Sequence, residues 1–294
     1  AFLLEREDRG TPRASRPDLV AAATGRIINP LSLDDGLWEL AVSATDFVRN
    51  STIAYSGIFE VVHDTLAPTT ALSIGEPKAV VGEVAHVAGR TLLTLSSTDH
   101  LLIAGEGMGT GVAFQDLSVD GGARRRFMPP SSATVLVSTF TLSDPDGVHS
   151  LAFFAQDALG NRETAQTIAL ALDNTPPTST LAASTPTSAT GSALFVSAKT
   201  AFTLSAQDPV NNGAGSGVES VSYRINGGSS ITSPSGQTSL SFGFAGSDGP
   251  RTVLYQSMDR LGNLEAAKSK SYLLDQTPPV TSLALVRGKQ VIGP

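Results

Sequence analysis

Ala155-Gln-Asp-Ala-Leu-Gly-Asn-Arg-Glu163, followed nine residues later by Leu172-Asp-Asn-Thr-Pro-Pro-Thr178, decides the fold. It recurs as Ser257-Met-Asp-Arg-Leu-Gly-Asn-Leu-Glu265, running on to Leu274-Asp-Gln-Thr-Pro-Pro-Val280. A worn copy precedes both: Ala44-Thr-Asp-Phe-Val-Arg-Asn50, then His63-Asp-Thr-Leu-Ala-Pro-Thr69. Asp46, Asp157 and Asp259 stand 111 and 102 residues apart, and the linker aspartates Asp64, Asp173 and Asp275 stand 109 and 102 apart. Such a period is the length of one small β-sandwich domain.

Outward from the motif, the front halves of the last two copies also align. Thr91-Leu-Leu-Thr-Leu-Ser-Ser-Thr-Asp99 matches Thr200-Ala-Phe-Thr-Leu-Ser-Ala-Gln-Asp208. Thr110-Gly-Val matches Ser216-Gly-Val, and Asp120-Gly-Gly matches Asn226-Gly-Gly. Phe202, Leu204 and Ala206 alternate with Thr203, Ser205 and Gln207, the period of a half-buried strand. Leu240, Phe242 and Phe244 fall on one face of another. Asn226-Gly227 predicts a two-residue hairpin turn, because both positions tolerate positive φ. Strands with a turn every ten or so residues, and no helical stripe, predict a sandwich. Pro-Pro cannot join a ladder, so each Asp-x-Thr-Pro-Pro ends one domain and stiffens the joint to the next.

The expected layout is a partial repeat over 1–66, full repeats over 67–175 and 176–277, and a last strand over 278–294. That strand either opens a further repeat or serves assembly. Residues 280–294 resemble the strand that follows each Thr-Pro-Pro, and 1–66 holds only the back half of a unit, so the chain is expected to continue at both ends. The fold class expected is all-β: tandem immunoglobulin-like sandwiches with short Pro-rich linkers.

Composition narrows the function. Of 294 residues 40% are hydrophobic and 16% charged, and the net charge is −7. An acidic chain lacks the basic face of a general nucleic-acid binder. Arg124–Arg126 follows the turn-like Asp120-Gly-Gly and reads as a solvated loop. With no cysteine there is no thiol catalysis, thiolate metal site or disulfide scaffold. No apolar run reaches membrane-spanning length.

These residues resemble the bacterial immunoglobulin-like tandem repeats of large surface proteins. The residues that carry the resemblance are Ser216-Gly-Val-Glu-Ser-Val-Ser-Tyr223, Asn226-Gly-Gly, Asp259-Arg-Leu-Gly-Asn-Leu-Glu265 and Asp275-Gln-Thr-Pro-Pro279. The first copy departs from the pattern, with Arg49 where Gly is expected and no Pro-Pro pair. The resemblance implies an extracellular or cell-surface location, structural or adhesive roles, and sometimes attachment beside enzymes. It implies no single ligand.

The loop aspartates are the candidate site. Asp99, Asp157 and Asp173 are expected to gather in one repeat, and Asp208, Asp259 and Asp275 in the next. Calcium takes six to eight oxygens of this kind, and domain joints supply them. The competing reading is a turn: Asp caps through its side chain, and Gly or Asn takes the left-handed position. No dense Asp-x-Asp-x-Asp-Gly loop occurs. No His-Glu-x-x-His, Gly-x-Ser-x-Gly elbow or Walker loop is present. Asp144-Pro-Asp-Gly147 reads as a turn rather than an acid pair, and Gly105–Gly109 as a flexible insertion. Trp38 reads as core.

No enzyme is expected, and no cofactor beyond the calcium the aspartates could hold. The expected function is a non-catalytic structural or adhesive segment of an extracellular bacterial surface, stalk or filament protein. The alternative is an accessory carbohydrate- or protein-binding module beside a secreted enzyme. Expected partners are other chains or further repeats, including head-to-tail strand complementation, with no nucleic acid.

Overall fold

The computed structural model describes residues 2–6, 14–15, 36–45, 48–61, 63–99, 110–130 and 133–283. Among the described residues the regular elements are all β-strands. None of them forms a helix long and apolar enough to cross a membrane. The all-β sandwich architecture read from the repeat is therefore the one observed. By packing, the chain divides into two compact units. One holds Ala1–Glu76, Arg90–Ser143 and His149–Leu170; the other holds Pro77–Gly89, Asp144–Val148 and Ala171–Pro294.

The second unit shows why the alternation folds as it does. Thr178–Ala183, Ala201–Gln207 and Ser239–Gly243 form a three-stranded antiparallel sheet in that order. Ala201–Gln207 buries every second residue, and Phe202, Leu204 and Ala206 are those. The facing sheet has six strands, ordered Thr187–Thr190, Ala193–Val196, Lys268–Leu274, Gly249–Asp259, Val218–Ile225 and Ile231–Thr232. Its inward residues Val221, Tyr223, Val253, Tyr255, Tyr272 and Leu274 join Phe202 and Leu204 in one core. Phe202 sits at the centre, its ring 5.3 Å from Phe242, 4.4 Å from Phe244 and 4.9 Å from Tyr272. Truncating such a residue to Ala costs ~3–5 kcal/mol. The edge strand Thr178–Ala183 is shielded by lysines: Lys268 Nζ donates to the Ser179 carbonyl at 2.9 Å, and Lys270 Nζ to that of Leu181 at 2.7 Å.

In the first unit, Val135–Phe140, Leu93–Thr98 and Thr69–Ile74 form the matching three-stranded sheet. Facing it run Arg125–Phe127, Val112–Val119, Gly147–Asp157 and Gln166–Leu172, with Arg125–Phe127 at the edge. Leu93, Leu95, Leu151 and Phe153 are wholly buried. So is Gln115, whose Nε2 donates to Ser97 Oγ and to the Leu136 carbonyl, each at 2.7 Å. A further sheet, Ala14–Ser15, Phe2–Arg6, Gly36–Thr45 and Ser51–Val61, precedes it. Trp38 lies buried in it, as a lone aromatic in an alternating strand should.

Three local expectations change. Arg125 and Arg126 lie in a strand, not a solvated loop. Asn226 and Gly227 do turn with positive φ, and Gly228 N–H donates to the Ile225 carbonyl at 2.9 Å. The ladder, however, resumes only at Tyr223↔Ile231, so the hairpin is longer than two residues. Arg49 takes the left-handed conformation, φ +69°, without being glycine, as Gly160 and Gly262 do at the matching positions. Of the strand expected over 278–294, residues 278–283 are not in a strand; the rest of it, Asp46 and the insertion at 105–109 lie outside the described residues.

Candidate functional site: a turn-and-linker clasp with a carboxylate triad

The repeated Asp-x-x-Gly-Asn-x-Glu motif closes the end of the long strands Gly147–Asp157 and Gly249–Asp259. Asp259 leads its turn: its carboxylate accepts from the backbone N–H of Leu261 at 2.9 Å and of Asn263 at 2.7 Å. The turn needs Gly262 at φ +80°, a conformation in which a Cβ costs ~1–2 kcal/mol. Asn263 Nδ2 then bridges two groups, donating to Asp259 Oδ2 at 2.7 Å and to the Asp173 carbonyl at 3.0 Å. The first unit repeats this. Asn161 Nδ2 donates to Asp157 Oδ2 at 2.6 Å and to the Asp64 carbonyl at 2.8 Å. Asparagine suits the position because its amide donates two hydrogens from one nitrogen. The motif thus clamps the linker that enters its own sandwich.

The glutamate at the motif's end does a second job. Glu265 accepts from the Ser179 backbone N–H at 2.9 Å, from Ser179 Oγ, and from the N–H and Oγ of Ser257 at 3.1 and 2.9 Å. It also pairs with Lys268 at 2.6 Å. Burial pushes its carboxyl up; the hydrogen bonds from Lys268, Ser179 and Ser257 outweigh that and hold it below the ordinary glutamate range. Glu163 occupies the same place, accepting from the Thr70 N–H at 3.0 Å, from Thr70 Oγ1, and from the Ala155 N–H at 2.6 Å. These glutamates tie the first strand after each linker to the last long strand. Sequence reasoning missed them, although their shared spacing from Asn161 and Asn263 was the available signal.

Beside the clasp sit the aspartates. Asp173, Asp208 and Asp259 each offer a carboxylate oxygen within 4.8 Å of the others, and so do Asp64, Asp99 and Asp157. The expected groupings are therefore corrected at one member each: Asp64 joins Asp99 and Asp157, while Asp173 joins Asp208 and Asp259. Asp275 enters neither group. Strand direction is the reason. Gly249–Asp259 and Lys268–Leu274 are antiparallel, with Gly249 opposite Leu274. The outgoing linker therefore leaves at the end of the strand remote from Asp259. There Asp248 receives it, accepting from the Gln276 N–H at 2.8 Å and from Thr277 Oγ1. Asp146 does the same for Asn174 and Thr175, accepting from the Asn174 N–H at 3.0 Å. Asn211 Nδ2 donates to Thr175 Oγ1 at 3.0 Å and Asn212 Nδ2 to the Asp146 carbonyl at 3.1 Å.

The triads are strongly anionic and largely buried. Asp173 Oδ2 accepts from the Ser216 N–H at 2.7 Å and Asp208 Oδ2 from the Gly217 N–H at 2.7 Å. Asp208 Oδ1 and Ser216 Oγ are buried with no hydrogen-bond partner, and Ser216 as a whole has no exposed surface. In the first unit the matching hydroxyl, Thr110 Oγ1, reaches Asp64 Oδ2 at 2.9 Å. Burial, and then the charges of Asp173, Asp259 and Asp146, push the Asp208 carboxyl up to about 6, against one opposing bond from Gly217. Burial likewise raises Asp259. Oxygen-only donors of this kind suit a hard divalent cation, and a bound cation would offset the repulsion among the three.

Residues 136–216 match the model of the bacterial Ig-like domain family, group 3. The matched stretch contains the first full clasp motif, its linker, and the Asp173 and Asp208 carboxylates. Two solved structures are similar. One is of fibronectin(III)-like modules of CbhA from Clostridium thermocellum, at 12% identity and TM-score 0.33, covering 72% of this chain and all of that one. The other is the chicken CNTN1 FN1–FN3 domains, at 10% identity and TM-score 0.32, covering 92% of this chain and 88% of that one. No curated protein matches the chain.

Proposed function

We propose that this chain is a non-catalytic structural segment of an extracellular bacterial surface protein, a spacer of repeated sandwiches whose joints are held by side-chain hydrogen bonds. One observation carries the reading. The acidic and amide side chains at both ends of the long strands accept from or donate to linker backbone and linker hydroxyls, and they do so in the same pattern in each repeat. The match to the bacterial Ig-like family over 136–216 supports it, since domains of that kind are generally structural or adhesive. The test is mechanical. Pulled from its ends, a spacer gives discrete cooperative rips, each releasing ~30 nm or more for a repeat of some hundred residues. Smooth extension at low force would remove the load-bearing role.

A second reading is favoured by the buried, unpartnered Asp208 Oδ1 and Ser216 Oγ. In it Asp173, Asp208 and Asp259 hold calcium, as do Asp64, Asp99 and Asp157, and the cation stiffens the entry joint of each repeat. Calorimetric titration of chelator-treated protein decides it. Two bound cations per chain, reduced to one by Asp208→Asn, support the cation sites; absence of heat and of any thermal shift leaves the aspartates as turn residues.

A further inference from the structure

The outward face of the first full repeat carries an arginine–phenylalanine array that the spacer reading does not use. Arg126 forks onto Asp116, with Nε to Oδ1 and Nη2 to Oδ2 both at 2.8 Å, and its Cζ lies 3.6 Å over the Phe114 ring. Arg162 lies 3.6 Å over the Phe154 ring, and Arg124 lies 5.4 Å from the same ring. Phe114 and Phe154 meet edge to face at 6.3 Å. Asp116, Arg124, Phe154, Arg162 and Ser118 line a shallow groove here. Three guanidiniums against one carboxylate leave two positive charges in a chain whose net charge is −7.

Edge protection explains part of this. Arg125–Phe127 is the last strand of its sheet, and charged residues there discourage pairing with another chain. It does not explain Arg162, which comes from the turn after Gly147–Asp157 and reaches across to Phe154. Stacking fixes the plane of a guanidinium and leaves its edge N–H groups free to fork onto an anion. The corresponding place in the second full repeat is also a groove, lined by Ser222, Arg224, Ser230 and Gln256. Those donors suit sugar hydroxyls and a single anion. A linear polymer with a repeating unit is the ligand that gains from weak sites at the same place on successive repeats.

We propose that this face binds an acidic polysaccharide, with Arg124 and Arg162 forking onto its carboxylates and Arg126 held in place by Asp116. The probe is polygalacturonate in affinity electrophoresis of the full chain, with the fully methyl-esterified polymer, polyglutamate and duplex DNA as comparisons. Polygalacturonate is expected to retard the chain in low salt, and the ester is not. Arg124→Gln with Arg162→Gln weakens retardation at least tenfold while the thermal melt is unchanged; Lys199→Gln has no effect. Should the double variant melt early, Arg162→Lys keeps the charge but loses the fork and the stack, and is expected to bind several-fold more weakly. Equal binding of the ester, equal binding by the arginine variants, or no retardation by polygalacturonate would overturn the proposal. Equal retardation by polyglutamate or DNA would overturn it too, leaving an unselective basic face.

Discussion

Asn263 Nδ2 donates to the carbonyl of Asp173, ninety residues earlier in the chain, at 3.0 Å. This contact turns a loop motif into a clasp, because the same nitrogen also holds the Asp259 carboxylate. Asn263→Ala takes this donor from the buried Asp259 Oδ2 and from the Asp173 carbonyl, so a loss of ~1–3 kcal/mol is expected in urea unfolding. Asn161→Ala makes the matching cut in the first unit, where the site is less buried, and the loss there is expected to be smaller.

Arg49 gives a gain instead. It holds φ +69° where the intact copies have glycine. Arg49→Gly relieves the left-handed penalty but adds freedom to the unfolded chain. The expected result is a stabilisation of ~0.5–1 kcal/mol, read as a raised urea midpoint with unchanged slope.

Gln115 and Ser97 test whether buried polar partners are costly singly. The second full repeat has Val221 and Ala206 at the matching places, both buried. Gln115→Val alone takes the Nε2 donor from the Leu136 carbonyl and from Ser97 Oγ, which keeps its bond to Thr70 Oγ1 at 2.6 Å, with an expected loss of ~1–2 kcal/mol. Adding Ser97→Ala converts the site toward its apolar counterpart and is expected to recover much of that loss. A double-mutant cycle measures the coupling.

Acidity separates the triad from the linker anchors. The Asp208 carboxyl titrates at about 6 when folded against an ordinary 3.8. Between those values the folded chain keeps a proton that the unfolded chain has lost. In chelator, stability therefore falls as pH rises from about 4 to about 6 and stays lower above that. Asp146, Asp248 and Glu265 are held low, so what they contribute is present at neutral pH and lost as pH drops below the usual carboxylate range. The melting temperature is expected to peak at about pH 4, where the two effects cross. Asp208→Asn should flatten the fall on the alkaline side of that peak and melt higher at neutral pH.

The repeat, the strand alternation through Phe202, Leu204 and Ala206, the buried Trp38 and the turn role of Asp157 and Asp259 were all legible in the sequence. They are local properties, set by period, side-chain size and turn chemistry. The partners of those aspartates were not legible. Asp173 follows Asp157 closely in the chain, but the antiparallel return of Gln166–Leu172 carries it about 20 Å away at ~3.3 Å per residue. It lands at the entry of the next sandwich, leaving Asp64 to fill the first triad. The stacking of Arg162 on Phe154 was hidden for a similar reason, since it depends on which residues the pleat turns outward together.

The most direct measurement is the distance between the two full repeats in solution. The chain has no cysteine, so Thr139→Cys with Ser241→Cys places one spin label on an exposed position of each. A spacer with hydrogen-bonded joints gives a single narrow distance distribution, and Asp146→Ala, which removes its bonds to Asn174 and Thr175, broadens it. A broad distribution in the otherwise unaltered chain, or one indifferent to Asp146→Ala, would contradict the clasped joint.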